Sequence, residues 1–275
     1  MNAIKLGVAR GRIELRQVFT VPSEVLGYFL PTVFFMAVLA FLRFVPVAGA
    51  GFSYGTLILT GLIGSSLCFS GLSSMTQTLA AEREDGTLVR ARALPNGVPA
   101  YLIGKVLMAA GFAVASVAVL LVYALLLFDG VALPGLGSWL KLVAVILLGL
   151  LATLLLGAVL GSLFPNPRVS AVVSVPLLAL LAVSGILYPI TVLPGWVQWI
   201  AQVFPMYWLG LGVRSTLLPD SALVTEIGQS WRGGETFAVL GAWALLGLVL
   251  APIVLRRMTR RGKGARIGKA KQRIG

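Results

Sequence analysis

Six stretches of this chain stay apolar for the roughly 20 residues that a helix needs to cross the hydrocarbon core of a bilayer. They are residues 25–44, 54–75, 100–128, 139–164, 169–188 and 237–255. With 58% hydrophobic and 11% charged residues, the chain has too little polar surface to coat a globule in water; soluble domains carry about 25% charged residues. Disorder is excluded as well, because it needs few apolar residues and many charges. The pattern predicts an all-α integral membrane protein with six transmembrane helices.

The basic residues set the expected orientation. A net charge of +13 over 275 residues could point to nucleic acid, but here the cations sit in end segments and short loops, as membrane topology imposes. No nucleic-acid partner is expected. With the N-terminus placed in the cytoplasm, that side receives Lys5, Arg10, Arg12, Arg16, Arg83, Arg90, Arg92, Lys105, Arg168 and the nine cations from Arg256 to Arg273. The outer side receives Arg43, Lys141, Arg214 and Arg232. Eighteen against four is a strong positive-inside bias, and it puts both termini in the cytoplasm with an even number of spans. Residues 1–20 are charged and lack an apolar run, so they are not read as a cleavable signal peptide.

Parity decides the reading of residues 190–218, which are apolar enough to suggest a seventh span. Pro194, Gly195 and Pro205 break the stretch, and Trp196, Trp199, Tyr207 and Trp208 favour the lipid–water interface. It reads as a helical hairpin dipping into the outer leaflet, with an ordinary interfacial loop as the alternative. Ahead of the first span, Ile4, Val8, Leu15, Val18 and Phe19 fall on one helical arc flanked by Lys5, Arg12 and Arg16. That arc predicts an amphipathic helix lying in the cytoplasmic interface, although topology alone also accounts for its charges. Pro22 and Ser23 then turn the chain into the membrane.

Several chemistries lack their residues. There is no histidine, and Cys68 is the single cysteine, so His-ligated metals, Ser-His-Asp triads and an intrachain disulfide drop out. No Asp or Glu lies deep in a span, which speaks against an ion-coupled carrier. Arg43, Lys105 and Lys141 lie near span ends, where long stems snorkel to the interface. The serines at 65, 66, 70, 73 and 74 have no base to activate them, and they read as packing groups. Gly157 and Gly161 have GxxxG spacing, which permits close helix approach. A GxxxxGK[ST] phosphate loop is missing, so any ATP hydrolysis belongs to another chain.

The cytoplasmic loop at residues 77–95 carries the most information. The second span continues as a helix to about Glu84, Asp85-Gly86 signals a turn, and Thr87 caps a short helix over 88–94 that stops before Pro95. Three acids in four positions are unexpected beside anionic lipid; a protein partner explains them, and so does a solvated charged turn. Glu82-Arg83-Glu84-Asp85-Gly86-Thr87-Leu88, then a short basic helix and Pro95, resembles the coupling segment of type-2 permeases of ATP-binding-cassette exporters. Ser184-Gly185-Ile186-Leu187-Tyr188-Pro189, Leu193-Pro194-Gly195-Trp196, Pro205 and Tyr207 are similar to that family's outer hairpin. Phe204 departs from its pattern, which often has Asn before this proline.

The resemblance implies an organisation and a function. Residues 1–22 would be the interfacial helix, 23–255 the six-span permease domain with coupling loop 77–95 and outer hairpin 189–215, and 256–275 a basic cytoplasmic tail. Two permease subunits, as homodimer or heterodimer, would each rest on a cytoplasmic ATPase subunit that binds ATP and Mg; this chain would bind neither cofactor nor metal. Glu82, Arg83, Glu84, Asp85, Gly86, Thr87 and Leu88 would receive the ATPase motion. Pro189, Pro194, Gly195, Trp196, Pro205 and Tyr207 would form the hairpin. The protein would be multi-pass in the cytoplasmic membrane, and its spans favour a small amphiphilic cargo: a drug, antibiotic or lipid-like molecule. Alternatives are export of a lipid-linked polysaccharide, an ATP-independent channel or carrier, and a lipid-modifying enzyme, for which no polar catalytic cluster assembles. A cysteine placed at Ser221 in a Cys68→Ala background is expected to label from outside intact cells; labelling only from inside would overturn this topology.

Overall fold

The computed structural model describes residues 2–47, 51–84, 87–93, 97–131, 135–163 and 172–271. Among these the backbone is helical with no strand, apart from an isolated antiparallel bridge between Pro46 and Ser53. Helix α1 spans Ala3–Thr20, and one extended residue, Val21, separates it from α2, Pro22–Leu42, which Pro22 opens. Proline suits that first helical position because the N–H it lacks would have no intrahelical partner. Helix α3 (Tyr54–Cys68) runs through a π-helical turn, Phe69–Ser74, into α4 (Met75–Glu84). Then come α5 (Thr87–Arg92), α6 (Gly97–Leu127), α7 (Leu136–Leu163), α8 (Ser174–Val183), α9 (Gly195–Val203), α10 (Pro205–Leu217) and α11 (Gly233–Lys271). Short 3₁₀ turns at Ile190–Val192, Asp220–Thr225 and Ile227–Gln229 complete the connections.

Among the described residues, four helical stretches are long and apolar enough to cross a membrane: Tyr54–Glu82, Gly97–Leu127, Leu136–Leu163 and Gly233–Ala251. They coincide with the second, third, fourth and sixth apolar runs. The first run falls on α2, whose described apolar part is Thr32–Leu42, and the described part of the fifth is α8. At about 1.5 Å per residue, the 31 residues of α6 extend about 46 Å, well beyond a core of about 30 Å.

The α3–α4 rod is the axis of the bundle. Its most apolar window is 89% buried, against 28% for α11. A helix apolar on all sides belongs in an interior, and α6, α7 and α10 supply most of the surroundings. Glycines set how near they come. A Cβ on Gly64 would sit 2.5 Å from the Leu209 carbonyl oxygen and 2.7 Å from the Gly210 nitrogen, both backbone atoms of α10. Gly157 lies against the Gly71 backbone and Gly161 against Thr76 and Leu79, so the GxxxG spacing on α7 is a contact with the rod. Thr76 donates to the Gly157 carbonyl at 3.1 Å across the same seam.

Helix α1 packs lengthwise on α6. A Cβ on Gly7 would meet Ile103 at 2.6 Å, and one on Gly11 the Gly104 carbonyl at 2.9 Å. This divides the predicted apolar arc: Leu15 covers Gly111 and Val18 packs with Met108 and Phe112, while Ile4, Val8 and Phe19 stay exposed. The sequence reading missed the Gly7/Gly11 stripe, whose GxxxG spacing was the available signal.

Gly64→Ala is expected to destabilise the protein by about 1–3 kcal/mol, because a backbone neighbour cannot rotate aside as a side chain can. Gly241→Ala, at a position with nothing within 4 Å, is the control and should be neutral or slightly stabilising. Thermal unfolding in detergent compares the two.

Candidate functional site

The loop that the sequence singles out lies beside a cluster of opposite charges. Tyr101 and Lys105, four residues apart on α6, face one way; Arg10 and Glu14 do the same on α1. The glycine contact between α1 and α6 brings the two pairs together. Lys105 is 5% exposed and therefore does not snorkel. Its Nζ lies 2.5 Å from Glu82 Oε1 at the end of α4, and 2.7 Å from Glu14 Oε2 in an ionic contact without hydrogen-bond alignment. Arg10 Nε donates to Glu14 Oε1 at 2.7 Å, and its guanidinium lies 4.7 Å from the Tyr101 ring centre. Tyr101 Oη donates to Glu82 Oε2.

Arg10 and Lys105 balance Glu14 and Glu82 in charge. The cluster fastens three elements, α1, α4 and α6, at the point where α4 hands over to α5. Helix α5 packs against α4 and α6, and its Ala91 is buried. Partly buried charges tolerate the loss of a partner badly, because the survivor is left desolvated and unpaired.

Of the sequence-predicted coupling residues, Glu82 is thus engaged inside the chain. The helix carrying it ends at Glu84, and Thr87 is the first residue of α5. The side chains of Arg83, Glu84 and Leu88, and the whole of Asp85 and Gly86, lie outside the described residues.

At the opposite end, Gly185 takes φ +64 after α8, and a Cβ there would meet Ile190 at 2.5 Å, so glycine is required at this turn. Pro189 is buried, Pro194 precedes α9 and Gly195 opens it, and Pro205 opens α10 after the extended Phe204. Trp196 and Trp199 are exposed, as expected of interfacial aromatics, but Tyr207 and Trp208 are buried. The reason is that α10 inserts between α3, α7 and α11. Arg214 on α10 is 1% exposed, and its Nε donates to Glu226 Oε1 at 2.6 Å. Sequence reasoning placed Arg214 merely on the outer side; nothing local announces a partner twelve residues away across a turn.

Midway along the bundle is a cavity of about 550 Å³. Ser65, Ser66, Ser70, Ser73 and Ser74 of the rod line it with Gln77 and Thr78, against Phe35 of α2, Phe112 and Ser116 of α6, and Leu178 and Leu181 of α8. Ser65 and Ser66 donate to carbonyls one turn back, Leu62 at 3.2 Å and Ile63 at 2.7 Å, leaving acceptor lone pairs on the wall. Among the described residues no group of His, Cys, Asp or Glu could hold a metal ion.

Residues 46–253 match the model of a family described as ABC-2 family transporter protein. That is well over half of the chain, and the chain belongs to this family: it is a transmembrane subunit of an ABC transporter, in a family whose members generally work with a separate ATPase subunit. No curated protein matches it.

Lys105→Met leaves Glu14 and Glu82 without their shared cation. The expected loss is about 3–5 kcal/mol, the range for breaking a buried charge pair. Lys105→Met/Glu82→Gln keeps only the balanced Arg10–Glu14 pair and should recover more than half of that. Unfolding midpoints of both variants in detergent check it; an unchanged single variant would mean that solvent screens the cluster.

Proposed function

We propose that this chain is one of two permease subunits of an ATP-driven exporter, with six spans, both ends in the cytoplasm, and a separate ATPase seated against the α4–α5 elbow. The observation that carries this reading is the charge cluster at Lys105. A short helix transmits a push only if its support moves as one body, and Glu82, Lys105 and Glu14 tie the elbow to α1 and α6 at 2.5–2.7 Å. Glu82 faces into the cluster, so the outward acidic contact falls to Glu84 and Asp85, which pair with Arg or Lys of the ATPase. The basic tail lies on the anionic inner leaflet, to which each cation near the surface adds about 1 kcal/mol.

The cargo is a small amphiphilic compound, and the serine-lined cavity is its path. Its volume of about 550 Å³ suits a drug-sized molecule, within the roughly 300–1,000 Å³ of small-molecule sites. Aromatic and aliphatic side chains would cover an apolar body while the hydroxyls accept from a few polar groups. The π-helical turn Phe69–Ser74 supports this, because three of the wall serines lie on it. Such turns interrupt regular helix packing and are frequent at functional sites.

Copurification with the ATPase and efflux of an amphiphilic dye from vesicles test the reading together. Glu84→Ala is expected to insert and pair normally but to bind the ATPase about thirtyfold more weakly or worse, the low end of the roughly 2–5 kcal/mol that a buried charge contact contributes. Glu82→Ala should keep more of that association while losing efflux. Full association and full efflux in Glu82→Ala/Glu84→Ala would remove the elbow from the mechanism.

A further inference from the structure

Helix α1 sorts its charges between two faces. Arg10 and Glu14 turn inward, where Arg10 Nε donates to Glu14 Oε1 at 2.7 Å and Lys105 closes on the same carboxylate at 2.7 Å. Glu14 is the only acid on α1, so the opposite face keeps its cations without one. Lys5, Val8, Arg12, Arg16 and Phe19 fall within about 80° of one another around the helix, and all five are exposed. Lys5, Arg12 and Arg16 enter no ion pair among the described residues. Arg12 and Arg16 stand one turn apart, and with Ile13, Leu15 and Phe19 they line a surface groove of about 470 Å³. The helix runs in the same direction as α6: Gly7 lies against Ile103, Gly11 against Gly104 and Leu15 against Gly111. Leu15, beside Arg16, is thus level with a point six residues beyond Lys105. That is roughly 9 Å further along a helix long and apolar enough to cross a membrane.

We propose that this groove holds one anionic phospholipid, its phosphate between Arg12 and Arg16 and its acyl chains along Ile13, Leu15 and Phe19. Both halves of the face have to be matched. An acidic soluble ligand would leave Ile13, at 63% exposed, and Phe19, at 44%, in water. A neutral lipid would leave two guanidinium groups without a counter-charge. The same face of a second copy would bring the same cations and repel them. A molecule with a negative head and apolar tails satisfies the whole groove. The placement along α6 adds a reason. A guanidinium beside an apolar span is costly unless it reaches an anion or the headgroup layer. Cα–Cβ bonds tilt toward a helix's N-terminus, so the stems of Arg12 and Arg16 lean back toward the level of Lys105, as snorkelling side chains do. The phosphate meets them there, and the acyl chains continue past Phe19. Guanidinium suits the task because its planar donors bind phosphate oxygens in pairs. A lipid so held also secures α1, whose Glu14 is one of the two acids on Lys105. The site rests on α6 crossing the bilayer, and not on the ATPase, the cargo or the direction of transport.

Native mass spectrometry of the full chain, titrated in detergent with phosphatidylglycerol, tests the proposal. Wild type is expected to take up one phosphatidylglycerol at a concentration about tenfold below that of further adducts. Phosphatidylcholine with the same acyl chains should show no such first step. Arg12→Gln/Arg16→Gln should weaken the first adduct about tenfold or more. Arg256→Gln/Arg257→Gln, which removes as many charges from the tail, should keep it. Equal loss in both variants would overturn the proposal by showing attraction to net charge alone, and so would equal uptake of the two lipids by wild type. Inorganic phosphate in large excess should not displace the lipid; displacement would show an ion site in which the acyl chains play no part, and would overturn it as well. A photoreactive benzophenone amino acid in place of Ile13 reads the same groove in cell membranes with both arginines intact. It should yield a phospholipid adduct; crosslinks confined to another protein would put an acidic partner on this face instead of a lipid and overturn the proposal.

Discussion

How closely two backbones approach is what the rest of this structure depends on. In hydrocarbon, burying a leucine against another helix gains little over leaving it in lipid, so association rests on packing contacts and satisfied polar groups. Gly64 against Leu209 and Gly210, Gly157 against Gly71, and Gly7 and Gly11 against Ile103 and Gly104 are the places where that approach is bought with missing side chains. Each then determines something polar. The α1–α6 contact brings Glu14 within reach of Lys105, the α7 contact lets Thr76 reach the Gly157 carbonyl, and α10 lies deep enough for Arg214 to be enclosed.

Apolar run length and turn residues made the helices legible in the sequence: α6, α7 and the rod through Tyr54–Glu84 fall where hydropathy puts them, and Pro22, Gly185 and Pro205 punctuate as their backbone constraints require. The partners of charged residues were not legible. Hydropathy and end-position rules treat Lys105 as one cation near a span end; that it is buried follows from carboxylates on two other elements. Tyr207 and Trp208 likewise have interfacial chemistry, yet the depth of α10 is set by Gly64, more than 140 residues earlier. Composition reveals how much of the chain avoids water, but pairing across helices depends on which faces meet.

The spacing of the two buried charge clusters along the rod matches the thickness of a bilayer core. One is fixed to the rod at Glu82, and the other presses its guanidinium against Gly61. Twenty-one residues separate those positions, about 31 Å at the helical rise of about 1.5 Å per residue, which is the thickness of a bilayer's hydrocarbon core, about 30 Å. Charges are least costly where headgroups and water begin, so a rod with one cluster at each of those depths fits a bilayer without tilting a charge into its centre. The midpoint then falls at Gly71–Leu72, inside the π-helical turn Phe69–Ser74. In a bilayer centred there, the serines of that turn would lie at the most apolar depth, where an isolated hydroxyl is most expensive. Grouping them along one cavity wall, with Gln77 Nε2 donating to Ser73 Oγ at 2.7 Å and Ser73 Oγ 3.1 Å from Ser174 Oγ, is how the chain keeps polar groups in that layer at a tolerable free energy.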